Sequence, residues 1–368
     1  MKKLFVVALL LVVAGYFWLQ WGSSPDAPVP AAKVGSSDGK AATTGGLPPS
    51  AVFRIDPAMS GASLAGAASR AGADAKKGQL PPAVSPMMAD YLARKDLPGL
   101  MAKVSRLPND AEALFLRAQI LETCALRTDQ PAGAPPRKTP AEGRLEFLAK
   151  LPPNAPDAAQ RTAAYDAAYA DVCGPLRSME TTGKEIADFL ARAQELKDPT
   201  ALARDLNCEI FNSIDQKANG SRAAEINDSR FERMRQAIAS RNPVAVRVGV
   251  GMLANNYRNG AFRIGTENKP IDVRTMFHAA NLLSCQYGSD CNVDVLRACA
   301  NDGRCAANNF DDYLAFYELS PHDAQSAESY RALLTQMIDS GDFSGLQLVK
   351  GDQPTDSVRS GSYFSCAK

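Results

Sequence analysis

Four cysteines within 21 residues, Cys285, Cys291, Cys299 and Cys305, are the residues of this chain whose type and spacing offer chemistry. They form two C-x5-C frames, each with an internal glycine, Gly288 and Gly303. Such sulfur either oxidises to disulfides or holds a tetrahedral metal. Structural zinc sites mostly set paired ligands two to four residues apart, whereas here five residues intervene. The frames therefore predict disulfides and no metal. A helix from Asp272 to Ser284, with Val273, Met276, Phe277, Ala280 and Leu283 on its apolar stripe, ends as Cys285 arrives. Val293 to Ala298 can form the next helix. Each pair thus brackets a helix end, where a turn brings two Cα atoms to the ~5.5 Å a disulfide needs. Closing so short a loop contributes on the order of 2 kcal/mol by the chain-entropy argument.

Four further cysteines complete the set. Cys124 lies on the stripe of Leu114, Phe115, Ala118, Leu121 and Ala125, while Cys173 follows Tyr165, Tyr169 and Val172 at helical spacing. One short helix, Thr139 to Leu151, separates them, so their helices should run parallel and bring Cys124 and Cys173 to one height. Cys208 and Cys366 remain. By elimination a bond between them would tie the tail to a central helix, and two free thiols are the alternative.

Other reactive types are sparse. Of two histidines, His278 lies off its helix stripe beside Arg274 and Asn281, and His322 sits in a first helical turn; both read as surface residues. No G-x-S-x-G, H-E-x-x-H, P-loop or dinucleotide fingerprint occurs. Asp311-Asp312 and Asp166/Asp171 read as caps and solvated faces. Gly249-Val250-Gly251 lies inside an apolar helix, where it permits close helix approach. With 41 basic and 40 acidic residues the net charge is +1, which gives no reason to expect nucleic acid as a partner. No catalytic residue and no cofactor are expected. Tyr313, Phe316 and Tyr317, with Leu314 between, form an aromatic stripe that reads as core packing or as a groove for docking a partner.

The elements that position these groups are helical. Ser85-Pro86 and Ser320-Pro321 place a capping hydroxyl before a proline at the first helical position. Asp198-Pro199 and Asn242-Pro243 do the same, and Thr139…Glu142 and Thr182…Glu185 have capping-box spacing. Strand alternation is confined to runs such as Ala261 to Ile264. The body over 86–368 is expected to be all-α. It exceeds one ordinary core without a second linker, which favours stacked helix pairs. An internal echo agrees: Ala193 to Leu202 precedes Ala237 to Val246 by 44 residues, with Lys197-Asp198-Pro199 matching Arg241-Asn242-Pro243. Asp96 to Leu100 and Gly341 to Leu346 are fainter versions.

Ahead of the body stand two segments. Leu4 to Trp21 is apolar with Gln20 its one strongly polar residue, follows Lys2-Lys3, and ends in Tyr16, Phe17, Trp18 and Trp21. Eighteen residues rise roughly 27 Å as a helix, close to the ~30 Å hydrocarbon core. The expectation is a retained anchor over 1–21 in the inner membrane with the start cytoplasmic. A peptide cleaved after Val13-Ala14-Gly15 is the alternative. A lipid anchor is excluded, since the first cysteine is Cys124. Residues 22–85, rich in Ala, Gly, Pro and Ser, read as a flexible tether, with Ala51-Val52-Phe53-Arg54-Ile55 its one alternating run.

The helix junctions, with Gly251 to Gly260 and Leu282 to Gly288, resemble those of Sel1-like and tetratricopeptide-like repeat proteins over Asp96 to Asp342. The full Sel1 signature is not met. The resemblance implies a disulfide-stapled α-solenoid that binds another protein on a concave face without catalysis. Cysteine-rich Sel1-like proteins staple helix pairs with a longer gap, which keeps pairing across the loops open (Cys285 with Cys299, Cys291 with Cys305). The expected role is a periplasmic scaffold for another envelope protein. Anchor, Ala/Pro-rich tether and helical body also resemble lipase-specific foldases, whose Phe-Asp-Tyr-containing motif is absent here; Met88 to Leu92 is its nearest echo. A steric chaperone for a secreted enzyme, or an enzyme of unrecognised type, are the alternatives.

Overall fold

The computed structural model describes residues 84–130, 138–152, 154–213, 224–255, 257–265 and 269–351, with Phe364 and Cys366. The expected anchor over 4–21, the Ala51 to Ile55 run and all of the tether but Val84 and Ser85 lie outside the described residues. Among the described residues the protein is mainly α, with thirteen helices and five short strands.

Local side chains start most of the helices. The Ser85 hydroxyl accepts from the Met88 amide at 3.0 Å and opens α1 (Pro86–Ala93). Asp96 opens α2 (Leu97–Val104), and Asp110 opens α3 (Ala111–Cys124). Thr139 and Glu142 form a complete capping box on α4 (Pro140–Lys150). It is followed by α5 (Ala158–Ala168). Thr182 caps α6 (Gly183–Glu195), Asp198 α7 (Pro199–Asn212), Asn227 α8 (Asp228–Ala239) and Asn242 α9 (Pro243–Leu253). The echoed junctions share their backbone: Lys197 and Arg241 are left-handed, with φ of 68° and 59°. Asp272 caps α10 (Val273–Gln286), which leads to α11 (Asn292–Asp302), α12 (Phe310–Tyr313) and α13 (Pro321–Ser340).

The helices pack largely with sequence neighbours. An N-terminal core joins Met88, Leu97, Leu100, Phe115, Ile120 and Ile186 of α1, α2, α3 and α6. A central core joins Leu206, Met234, Ile238, Val246, Met252, Met276, Leu283 and Leu334 of α7 to α10 and α13. One pairing crosses the chain: α5 lies on α11. Arg161 donates to the carbonyls of Ala300 and Asn301 at 2.9 Å each, capping the end of α11. The strand expected near Ala261 is β3 (Gly260–Ile264), the middle of an antiparallel sheet with β4 (Lys269–Pro270) and β5 (Leu346–Lys350). After Gly341, left-handed at φ 71°, the chain enters β5, so Gly341 to Leu346 does not open a further helix.

All eight cysteines are paired, Cys124–Cys173, Cys208–Cys366, Cys285–Cys291 and Cys299–Cys305, with Cα separations of 5.3, 5.3, 5.7 and 4.3 Å. The cross-loop pairing does not occur. Cys173 finds Cys124 by a different route from the one the spacing suggested. Helix α5 ends at Ala168, and Cys173 opens a 3-10 turn (Gly174–Ser178). Asp171 Oδ1 accepts from the amides of Cys173 and Gly174 at 3.1 and 3.2 Å, turning the chain back toward α3. The parallel pair β1 (Leu126–Arg127) and β2 (Glu180–Thr181) flanks this bond.

Gly249 is required by packing. A Cβ there would lie 2.8 Å from Ile238 Cγ1, 3.1 Å from the Met234 carbonyl and 3.2 Å from Ala237 Cβ. Alanine gains ~1 kcal/mol of helix propensity, yet the backbone of α8 must move to admit it. Gly249→Ala is therefore expected to lower stability by about 1–3 kcal/mol, read as a lowered melting temperature. A raised one would show that α8 and α9 are not locked together.

Candidate interaction site

The frame of the aromatic residues begins at the end of α11. Gly303, left-handed at φ 71°, terminates that helix, and the next residue is Arg304, inside the loop closed by Cys299 and Cys305. Asn309 caps α12. Its continuation, Leu314–Glu318, is a single π turn closed by the Leu319 amide donating to the Leu314 carbonyl at 2.8 Å. Such turns often re-aim side chains at functional positions.

Arg304 binds this turn to the loop. Its Nη1 donates to Glu318 Oε1 and, at 3.3 Å, to the Tyr313 hydroxyl. That hydroxyl donates to the same carboxylate oxygen at 2.7 Å. Burial opposes ionisation of Glu318, but the bonds from Tyr313 and Arg304 hold its carboxyl below the usual range. Burial, then the carboxylate acceptor, push the Tyr313 hydroxyl up. Arg274 of α10 donates to the Glu318 carbonyl at 2.7 Å, and the Ala306 amide donates to the Tyr317 hydroxyl at 3.1 Å.

The rings form a ladder from core to surface. Phe310 is buried and lies 6.0 Å from Tyr313; Tyr313 lies 5.9 Å from Tyr317, and Tyr317 6.4 Å from Phe316. The Arg304 guanidinium stands 5.7 Å from the Tyr317 ring. Phe316 ends the ladder with 60% of its surface exposed. The three aromatics expected to act as one stripe are thus divided. Leu314 and Leu319 take the core positions, Tyr313 and Tyr317 are half-buried, and Phe316 stands in solvent. The π turn accompanies this division, since it breaks the α spacing that would have kept Phe316 on one face with Tyr313 and Tyr317.

Helix α10 corrects two further expectations. His278, read as a surface residue, is 9% exposed, and Phe277, read as core, is 40% exposed. The helix is covered by α9 on one flank and α13 on another. Its buried set Thr275, Met276, His278, Ala279, Ala280, Asn281, Leu283 and Ser284 leaves Phe277 facing outward. His278 Nδ1 and Asn281 Oδ1 are buried without a hydrogen-bond partner. Burial pushes the His278 pKa down, opposed by Glu318 and Asp323 and assisted by Arg274. His322 is at the surface, its side chain 88% exposed.

The acidic pairs are structural. Asp166 holds Arg144 at 2.6 and 3.0 Å, Asp171 holds Arg177 at 2.9 Å, and Asp312 accepts from Asn309 Nδ2 at 3.1 Å. Among the described residues no group of three His, Cys, Asp or Glu could hold a metal ion, and no helix is long and apolar enough to cross a membrane. No protein-family model, curated protein or solved structure matches the chain. Arg304, the hub of the site, escaped the sequence reading. Its signal was a single arginine beside the glycine of a C-x5-C frame.

Phe316→Ala is expected to leave stability within about 0.5 kcal/mol, because the ring is mostly solvated. Arg304→Ala leaves Glu318 and Tyr313 without their cation and should cost about 1–2 kcal/mol. Melting curves of the two variants separate surface from frame; equal losses would make Phe316 part of the core. For His278 the depressed folded value means stability is present above its unfolded pKa of ~6.5 and is lost as pH falls through the folded one. His278→Leu should therefore gain on the parent protein between about pH 7.5 and 5.5, and a constant difference would place His278 outside the acid response.

Proposed function

We propose that this chain is a membrane-anchored helical scaffold of the cell envelope that binds another envelope protein and performs no catalysis. In this reading residues 4–21 hold it in the inner membrane, 22–85 form the tether, and the body stands in the periplasm. The junctions at Lys197-Asp198-Pro199 and Arg241-Asn242-Pro243, which share a left-handed basic residue and a side-chain cap, support a Sel1/tetratricopeptide-like stack of helix pairs. Four disulfides fit an oxidising compartment.

The observation that carries the binding role is Phe316. A large apolar ring held 60% exposed by a hydrogen-bonded frame, with a tyrosine and an arginine behind it, has the composition of an interface anchor. Its backbone is fixed by the π turn and the disulfide loop, so little ordering entropy opposes docking there.

The test uses the intact protein extracted from membranes. Mass analysis should find Leu4 to Trp21 retained in the mature chain. A photo-reactive side chain placed at Phe316 should cross-link one envelope protein. Capture should fall at least tenfold in Phe316→Ala, whose melting is unchanged, and persist in His322→Ala. Cross-linking to a secreted hydrolase would replace the scaffold by the chaperone reading. Unchanged capture by Phe316→Ala would remove this site from the interface, and a chain beginning near Tyr16 would remove the anchor.

A further inference from the structure

Three helix N-termini and three carboxylates meet at one place in the N-terminal half. Ser85, the cap of α1, donates its hydroxyl to Glu112 in the first turn of α3, while accepting from the Met88 amide at 3.0 Å. Asp110, the cap of α3, accepts from the Ala113 amide at 2.8 Å. Asp198, the cap of α7, accepts from the Ala201 amide at 2.7 Å and acts electrostatically with Glu112 and Asp110. Asp198 is 2% exposed. Thr200, in the same first turn, is 0% exposed, and its hydroxyl is buried without a partner.

A buried carboxylate is ordinarily matched by a cation. Here the neighbouring cations are committed elsewhere. Lys197, next in the chain, is exposed. Arg204 on α7 holds Glu122 of α3 at 2.6 and 3.0 Å, and Arg192 of α6 holds Glu195 at 2.7 Å. Arg230 and Arg233 of α8 hold Glu209 and Asp205 farther along α7, and Arg247 of α9 faces Asp294 at 4.0 Å. The charges that act on Asp198 are acidic. Capping does not require the charge either, because Asn242 performs the equivalent task at the echoed junction with a neutral amide, accepting from Val244 and Ala245 at 3.0 and 3.1 Å.

We propose that this convergence is a proton-operated joint: a proton held on Asp198 keeps the first turns of α1, α3 and α7 together, and its loss loosens them. The protonated carboxyl still accepts the Ala201 amide through one oxygen and gains a donor that the Thr200 hydroxyl can accept. The ionised form sets a desolvated charge against Glu112 and Asp110. Burial pushes Asp198 up to about 7, with the two acids adding to it against the amides of Ala201 and Thr200. Burial also raises Glu112, Asp110 adding. A folded value above the unfolded one of ~3.9 gives stability that is complete below ~4 and lost as pH rises through the folded value. The joint is closed on the acid side of neutrality and loosened on the alkaline side.

Hydrogen exchange of the intact protein in detergent tests this, followed at the amides of Met88, Ala113 and Ala201 from about pH 5.5 to 8.5 and corrected for intrinsic rates. Because one proton is linked to opening, protection in the parent protein should fall by up to tenfold per pH unit as pH rises toward the folded value and level off above it. In Asp198→Asn, which keeps the cap as Asn242 does, protection should be flat. In Glu112→Gln the fall should end at lower pH, since one of the charges that raises Asp198 is gone. A fall of equal size in Asp198→Asn, or none in the parent, overturns the joint. Should Asp198→Asn fail to fold, the carboxyl carbon resonance of Asp198 in the parent decides. Titration near neutrality supports the proposal, and titration near pH ~4 refutes it.

Discussion

The docking of α5 and the frame of the aromatic residues depend on the loop that Cys299 and Cys305 close. Two small clusters meet there, Val295, Phe310, Leu314, Leu319 and Ala327 on one side and Phe147, Ala164, Cys299 and Ala300 on the other. At roughly 2 kcal/mol for each large side chain, neither offsets the entropy of ordering its own helices. The loop makes them one unit because both sides bond to it. Arg161 takes the carbonyls of Ala300 and Asn301, and Gln160 that of Cys305 at 3.1 Å. Arg304 reaches the other way to Glu318 and Tyr313. One disulfide loop and two arginines, Arg161 and Arg304, therefore fix the docking of α5 and the aim of the aromatic ladder.

What could be foreseen from sequence was what a few adjacent residues decide. Caps at Ser85, Thr139, Thr182, Asp198, Asn242 and Ser320 were legible, because a side chain reaching an amide two or three positions on is a local event. That Cys285, Cys291, Cys299 and Cys305 bond among themselves was legible for the same reason, while the choice of local pairs over cross-loop pairs was left open. The bond between Cys124 and Cys173 was anticipated on a mistaken picture. Both cysteines were placed on parallel helices, whereas an Asx turn at Asp171 carries Cys173 back to α3. Where a helix has neighbours on several flanks, its stripe no longer reports its buried face. That is why Phe277 and His278 exchanged roles.

The aromatic site shows the same limit at closer range. Spacing of three and four residues places Tyr313, Phe316 and Tyr317 together on an α-helix, but the spacing itself presupposes the α hydrogen-bond pattern. The bond from Leu319 to Leu314 replaces that pattern, and nothing in Leu314 to Glu318 announces it. Its cause is tertiary: Arg274 on the Glu318 carbonyl and Arg304 on the Glu318 carboxylate draw this residue toward α10 and the loop. Arg304 was invisible because an arginine beside a glycine is unremarkable until the fold supplies a half-buried carboxylate for it.

The echoed junctions show how one local solution is put to different uses. At both, a basic residue accepts a left-handed φ, which an ordinary side chain adopts at some cost. A polar cap, a proline and a buried small residue follow. Glycine would satisfy the backbone more cheaply, so the side chains must be doing something else. At Arg241 that use is visible: its guanidinium holds Asp339 of α13, tying the start of α9 to the longest helix of the protein. At Lys197 the basic group stays in solvent, and the burden passes to the cap beneath it, Asp198. The first junction is held by an ion pair from a half-buried Arg241 to an exposed Asp339. The second rests on a carboxyl whose charge the interior resists. Two similar turns are thus held differently, one by the Arg241 ion pair above a neutral Asn242 cap and one by the buried carboxyl of Asp198.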